Sequence, residues 1–418
     1  MITLNEIIEK IFKKKYRVTL LGIGPMSKLV IRAAVEIADK YDFPLFLIAS
    51  RNQIDAKEFG GGYVGGWDQE EFVKVIRKEK ERIKTSIPIF ICRDHGGPWQ
   101  RDEEFKEKIS EKQALEKAKF SYLRDILAGF NVLHIDPTKD PHYEGVLPKE
   151  LVIERIVKIV EYIEKQRKKY KIPPVSYEVG TEETTGKITD KREFEKFIIL
   201  LFKELKKRNI PPPSFIVAQT GTKVMMRKNV GEFRKNEAKI LSSIAQRYGL
   251  ALKEHNADYL SKDILKIHPS LKIIGANVAP EFAAKETETL LRLARLENEI
   301  LKDRKEFSNF YFLLQKKVYE SNRWRKWVYP EEEFTEEKIK KNRNKLLEIT
   351  KVCGHYLFED REIKKAREKL YKNLKTYKIS ENPEEEILKE IKKNIKKYII
   401  CFNLKGLNRI ILDSTHHQ

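Results

Sequence analysis

Cysteine is scarce in this chain. Its 418 residues include three, Cys92, Cys353 and Cys401, an odd number at wide spacing. That excludes a disulfide framework and a CxxC metal knuckle, and it points to a reducing compartment. Long apolar runs are also missing: no stretch approaches the roughly 20 residues that span a bilayer. The start, Met1-Ile-Thr-Leu-Asn-Glu, lacks the basic-then-apolar plan of a secretory signal. A cytoplasmic protein with no membrane partner is the expectation. Methionine is rare too, with four residues, while Lys and Glu abound, a composition that suits a heat-adapted source.

Acidic charge falls short of basic charge. Lys+Arg number 84 against 63 Asp+Glu, a net charge of +21. A nucleic-acid partner would want the basic residues on one face with aromatics interleaved. Here the lysines alternate with glutamates along helix-like segments, as in Lys78-Glu79-Lys80-Glu81-Arg82. That is the pattern of a solvated helix face, so nucleic acid is not the expected partner. The basic excess does attract anionic metabolites such as sugar phosphates.

What the chain does have is a rhythm. An apolar run ends in polar or glycine residues, and a stretch of helical periodicity follows. The runs are Val18–Ile23, Leu45–Ile48, Ile87–Ile91, Asn131–Ile135, Val175–Val179, Phe215–Ala218, Leu250–Glu254 and Leu271–Ile274. Helix starts are marked by Ser27, by Asp68 with Glu71, by Ser110 with Gln113, by Asp190 with Glu193, and by Pro280. Eight strand–loop–helix units between residues 18 and 301 predict an α/β fold, a (β/α)8 TIM barrel. An open doubly wound sheet is the alternative, but Gly22-x-Gly24-Pro25 lacks the third glycine of a dinucleotide turn. From Lys302 the strand rhythm stops. Helices are expected at Phe307–Tyr319, Thr335–Cys353, Arg361–Tyr377 and Glu384–Ile400. The expected division is a barrel over 1–301 and a helical C-terminal extension over 302–418.

In a barrel, residues at the carboxyl ends of strands meet in space. Those ends carry Asp94 and His95, His134 and Asp136, Glu178 and Glu182, Gln219, His255 and Asp258, and Asn277. Three of eight histidines, His95, His134 and His255, fall there beside acids. Two histidines and a carboxylate with an open position make a catalytic divalent-metal site, and zinc suits such donors. His95 and His255 are the nitrogen candidates, with Glu178 or Glu182 supplying oxygen. Asp94 is the candidate general base, and Asp136 and Glu182 are further catalytic carboxylates. His134, mid-strand, reads more readily as a core histidine. Backbone N–H groups of Gly60–Gly66, or of Gly275-Ala276-Asn277 before the Pro280 helix, are candidate phosphate cradles.

Taken together, several motifs resemble a known family. Arg51-Asn52-Gln53 precedes Phe59-Gly60-Gly61-Gly62-Tyr63. Then come Asp94-His95-Gly96-Gly97-Pro98-Trp99, His134-Ile135-Asp136, Tyr177 with Gly180-Thr181-Glu182, Gln219-x-Gly221, and Glu254-His255-Asn256-Ala257-Asp258-Tyr259. In this order they resemble the Z-type subunit family of class II tagatose-bisphosphate aldolase. The likeness covers roughly residues 20 to 300 well. It extends more loosely to Asn322-Arg323-Trp324-Arg325-Lys326-Trp327. The resemblance implies a TIM barrel, a phosphorylated ketose substrate, an oligomer, and either of two roles. One is metal-dependent aldol cleavage or C4 epimerisation. The other is a non-catalytic subunit of a separate aldolase. Arg51, Asn52, Gln53, Gln219 and Asn277 are the implied substrate contacts. The chain departs from the family pattern at Arg51, Arg93, Glu178 and Thr220, changes expected to touch the pocket.

Overall fold

Leu45-Phe46-Leu47-Ile48-Ala49 is apolar at every position, which suits a parallel strand covered on both faces. The computed structural model, which describes residues 2–180, 187–301 and 306–412, turns each such run into a strand. They are β1 (Leu20–Ile23), β2 (Leu45–Ser50), β3 (Ile89–Gly96), β4 (Val132–Ile135), β5 (Ser176–Gly180), β6 (Phe215–Val217), β7 (Ala251–Glu254) and β8 (Ile273–Val278). Neighbours pair in parallel around the ring. β1 pairs with both β2 (Gly22↔Phe46) and β8 (Leu20↔Gly275), so the sheet closes as the strand count predicts. A closed ring has no edge to protect.

The helix starts follow from the capping residues. Ser27 accepts from Val30 N ahead of Lys28–Tyr41. Asp68/Glu71 and Ser110/Gln113 each form a full capping box. Asp190 accepts from Arg192 N and Glu193 N ahead of Lys191–Lys207. Pro280 stands in the first turn of Pro280–Ile300.

Two strands run further than their apolar segments. β3 continues past Ile91 because Ser50 of β2 pairs with Asp94, and β8 continues through Asn277 because Gly22 of β1 pairs with it. A hairpin, Val224–Met225 with Lys228–Asn229, had no strand signal in the sequence. Its neighbours hold it. The Asn229 carboxamide donates to the carbonyls of Asn256 and Asp258, and Met226 N donates to Trp327 O.

The C-terminal extension is helical as expected, with one difference. The single helix expected over Thr335–Cys353 is broken at Asn342, giving Glu336–Lys341 and Arg343–Cys353. The Asn342 side chain accepts from Asn344 N and Lys345 N, so it caps the second helix instead of continuing the first. The last long helix, Pro383–Cys401, buries Ile387, Ile391, Ile395 and Tyr398. It lies against Lys28–Tyr41 and Pro280–Ile300, and Thr19 N donates to Phe402 O just beyond it. Barrel and extension therefore share one apolar core. Among the described residues no helix is long and apolar enough to cross a membrane.

Two predictions follow from this packing. Ile395→Ala removes a fully buried side chain from the shared core and is expected to cost about 2–5 kcal/mol. Chemical denaturation should show one cooperative transition shifted as a whole, not a separate early loss of the extension. Glu286 is the second case. It is buried against Ser27, whose hydroxyl donates to it, and burial pushes its pKa up to about 7 from 4.5. A raised folded pKa gives stability that is full below the unfolded value and is lost as pH rises through the folded one. Glu286→Gln should therefore flatten the decline in melting temperature between about pH 5 and pH 8.

Candidate functional site

β3 carries an irregularity where it meets β4. The pairing runs Arg93↔Leu133 and then Gly96↔Ile135, so β3 advances three residues where β4 advances two. This one-residue bulge re-aims side chains. Asp94 and His95 would alternate across a flat strand; here both face the same group of imidazoles. His95 takes φ 43°, a left-handed conformation that is costly for a residue with a Cβ. Gly97 follows at φ 143°, where a Cβ would stand 2.2 Å from the Asp136 carbonyl oxygen. The chain passes β4 too closely there for any side chain.

Three imidazoles meet at the carboxyl ends of β3, β4 and β7. Ring centroids lie 5.2 Å apart for His95–His134, 4.9 Å for His95–His255 and 4.8 Å for His134–His255. Nitrogens of the three approach within 4.8 Å of one another, as do donor atoms of Asp94, His134, Glu178 and His255. Asp94 Oδ1 lies 3.8 Å from His255 Nδ1 and 3.9 Å from His134 Nδ1. Burial opposes ionisation of Asp94, but His95, His255 and Lys253 outweigh it and hold the carboxyl below its usual range.

A carboxylate stands behind each of two rings. His95 Nδ1 lies 2.8 Å from Asp136 Oδ2, and His255 Nε2 lies 2.5 Å from Glu178 Oε1. Burial opposes ionisation of both acids. His95 overcomes it for Asp136, and Lys253 followed by the histidines overcomes it for Glu178, so each is held well below the carboxylate range. Ionised carboxylates only accept hydrogen bonds. His95 Nδ1 and His255 Nε2 must therefore both carry protons. The two nitrogens left, His95 Nε2 and His255 Nδ1, face each other at 3.3 Å. Two lone pairs at that distance need a shared proton or a cation between them. His134 is set the other way: its Nδ1 accepts the His95 backbone N–H at 3.1 Å, which puts the proton of a neutral ring on Nε2.

Beneath this group is a buried ion pair. Lys253 Nζ reaches Glu178 Oε2 at 2.6 Å and lies 5.3 Å from the Phe215 ring centroid. Burial disfavours its charge, but Glu178 and Asp94 outweigh that and raise its pKa. Burial also pushes the nearby Cys92 thiol far up, so Cys92 is no nucleophile. Asn277 donates to Asp94 Oδ1 at 3.1 Å, while its own buried Oδ1 has no hydrogen-bond partner among the described residues.

Of the residues singled out in the sequence, Asp94, His95, Asp136, Glu178, His255 and Asn277 converge. Glu182 lies outside the described residues. Glu178, expected as an oxygen ligand, has its two oxygens on His255 and Lys253. Arg51 lies in the wall, not in the cavity: it is fully buried on Asp55, Glu104 and the Gly97 carbonyl. Asn52 holds the next loop, accepting from Asp102 N and donating to Gln100 O. Gln53 accepts from Ser50 N and donates to the Met26 sulfur. Gln219 is buried, its backbone N–H on Thr189 Oγ1.

Several expectations are corrected. The N–H groups of Gly60, Gly61, Gly62, Tyr63 and Val64 are donated within the protein, so this part of the Gly60–Gly66 loop does not cradle phosphate. At the Pro280 helix, Ala279 N and Glu281 N both donate to Asp258, which takes the place of an anion. Arg93 and Thr220 do not touch the pocket: Arg93 forks onto Asp125, and Thr220 donates to Glu254 in the layer outside the sheet. His134 is buried as a core histidine is, with its Nδ1 on a backbone N–H, and also belongs to the imidazole group. Its place at a strand end beside two other such histidines was the signal. Lys253 was missed because a lysine in an apolar run reads as solvent-facing; only its alternation with Glu254 and His255 places it inward.

Comparison with known proteins agrees with this architecture. The family model described as "D-tagatose-1,6-bisphosphate aldolase subunit GatZ/KbaZ-like" matches residues 4–403. No curated protein sequence matches. Among solved structures, a probable tagatose 6 phosphate kinase from Sinorhizobium meliloti 1021 is similar at TM-score 0.71 and 19% identity, over 95% of this chain and 98% of that one. The fructuronate-tagaturonate epimerase UxaE from Cohnella laeviribosi is similar at TM-score 0.59 and 12% identity, over 93% and 82%. A fructose-bisphosphate aldolase from Campylobacter jejuni is similar at TM-score 0.55 and 12% identity, over 97% of each chain. At such identities these structures speak for the fold alone.

The wall of the site yields a prediction. Arg93→Ala strands Asp125, which is buried and otherwise bonded to Gln69. It should cost about 3–5 kcal/mol of stability by denaturant titration. Paired Arg93→Met/Asp125→Leu should recover most of that loss.

Proposed function

The chain belongs to the D-tagatose-1,6-bisphosphate aldolase subunit GatZ/KbaZ-like family, and from that premise we propose that it is itself an enzyme. Its reaction is cleavage or re-formation of the C3–C4 bond of a ketohexose derivative, as an aldol lyase or a C4 epimerase. The observation that carries this reading is the facing pair His95 Nε2 and His255 Nδ1, each ring backed by a carboxylate, with Asp94 beside them.

The donors fit a divalent cation. Two nitrogens about 2.0–2.1 Å from one tetrahedral ion stand roughly 3.3 Å apart, which is the separation found. His95 and His255 would hold it, and zinc suits these ligands. Such an ion supplies Lewis-acid polarisation of the substrate carbonyl.

The chain's own residues handle the proton. Asp94, kept ionised by its cationic surroundings, takes the proton of the C4 hydroxyl. As the C4–O bond becomes a carbonyl, the C3–C4 electron pair passes to the ketone and gives an enediolate and an aldehyde. A lyase releases the aldehyde, and the proton held by Asp94 passes to C3 of the enediolate to give the ketose fragment. An epimerase lets the aldehyde turn and re-forms the bond, with Asp94 returning the proton to the C4 oxygen. The Asn277 amide steadies Asp94, and its Oδ1, unpartnered among the described residues, would accept from a substrate hydroxyl. Asp136 and Glu178 act through the histidines by fixing their tautomers.

The family description also names an aldolase subunit, so a non-catalytic role beside a separate aldolase is the second reading. One experiment separates them. The lone chain, supplied with zinc, is assayed on ketohexose phosphates and ketohexuronates. Turnover is expected, reduced about 10²- to 10⁴-fold in Asp94→Asn. An inert lone chain that co-purifies with an active aldolase would favour the second reading instead.

A further inference from the structure

The extension brings to the barrel a guanidinium, that of Arg323, with no acid holding it among the described residues. Arg323 opens the turn Arg323–Lys326, and its guanidinium carbon lies 4.9 Å from the Tyr356 ring centroid and 6.0 Å from that of Tyr63. The two tyrosines meet edge to face at 4.7 Å. Several other enclosed arginines behave differently, although half-buried Arg367, 5.5 Å from the Phe358 ring centroid, also shows no ion pair among the described residues. Arg51, Arg93 and Arg155 are each held by carboxylates, and exposed Arg325 still reaches Glu336. Among the described residues, none forms an ion pair or side-chain hydrogen bond with the half-buried Arg323 guanidinium.

Its platform is tied to the site. Tyr63 N donates to Asn52 O in the loop after β2, and the Tyr63 hydroxyl lies 3.8 Å from the Met26 sulfur in the loop after β1. Gln53 reaches the same sulfur and accepts from Ser50 N, and Ser50 pairs in register with Asp94. Asp102, whose carboxyl feels the Arg323 charge, is already occupied by Lys326 at 3.2 Å and by the Asn52 amide at 3.3 Å. Burial opposes its charge, but Lys326, Lys139 and Arg323 together hold its carboxyl below the usual range. Positive potential therefore gathers at this end of the barrel.

We propose that Arg323 is the anion grip of the site: it binds the charged terminus, phosphate or carboxylate, of the substrate at the end remote from the reacting carbons. This rests on the reading of the chain as a ketohexose enzyme. A guanidinium presents a planar fork that matches both oxyanions bidentately. Its place 4.9 Å from the Tyr356 ring centroid, with Tyr63 alongside, restricts the guanidinium before the ligand arrives, which lowers the ordering cost of binding. The C-terminal extension then contributes to specificity as well as to stability.

The test is calorimetric titration of the full-length, zinc-loaded chain. The probes are inorganic phosphate, fructose 6-phosphate, fructuronate and fructose, each against wild type, Arg323→Met and Arg323→Lys. Arg323→Met should weaken binding of the anionic ligand about 10- to 100-fold and leave fructose unchanged. Arg323→Lys, which keeps the charge and loses the fork, should fall between. The phosphate and uronate arms show which oxyanion is the natural one. Unchanged anion affinity in either variant, or no anion binding by wild type, overturns the assignment. If Arg323→Met does not fold, the lysine variant decides. Arg323-dependent anion binding without turnover of any ketose would leave the grip standing and remove the enzymatic reading. Turnover with an unaltered KM for the anionic substrate in Arg323→Lys would do the reverse.

Discussion

Two carboxylates that can only accept hydrogen bonds govern this site. Asp136 and Glu178 each hold one imidazole by its outer nitrogen and turn the inner lone pairs of His95 and His255 toward each other. Lone pairs do not face one another at such a distance without positive charge between them, so the chemistry of the cavity is set one layer back from it. Lys253 extends the same logic by a further step: its ammonium keeps Glu178 ionised and hence keeps His255 in one tautomer. Remove the outer acids and the inner nitrogens have no reason to converge.

The barrel makes this arrangement affordable. Residues from β3, β4, β5 and β7 meet because a closed parallel sheet gathers its strand ends. A bulge in β3 adds a second reactive residue from one strand. Around the sheet, buried pairs such as Arg93–Asp125 and Arg51–Glu104 bind the helices to the strands. The extension belongs to the same core and reaches the loop after β2 through Tyr356 and Arg323.

Much of the fold was legible because apolar runs and capping residues are local signals. Ser27, the Asp68/Glu71 and Ser110/Gln113 boxes, and Pro280 mark helix starts without any knowledge of neighbours. The site was legible where polar residues interrupt strand ends, as at Asp94-His95 and His255. What depends on partners was not legible. Arg51 and Arg93 looked like pocket residues because they interrupt motifs that resemble the family's; only the fold shows them turned onto Asp55, Glu104 and Asp125. The Pro280 helix looked like an anion site because its N–H groups are open in sequence; only the fold brings Asp258 to them. The hairpin at Val224–Asn229 has no pattern of its own, since its stability comes from Asn256, Asp258 and Trp327.

Ion titration of the chelator-stripped chain probes the facing pair most directly. Uptake of one zinc ion per chain is expected, abolished in His95→Ala and in His255→Ala and weakened about 10- to 100-fold in Asp136→Asn. A correctly folded chain that takes up no divalent ion, or that takes it up equally well without His255, would contradict the facing-pair arrangement.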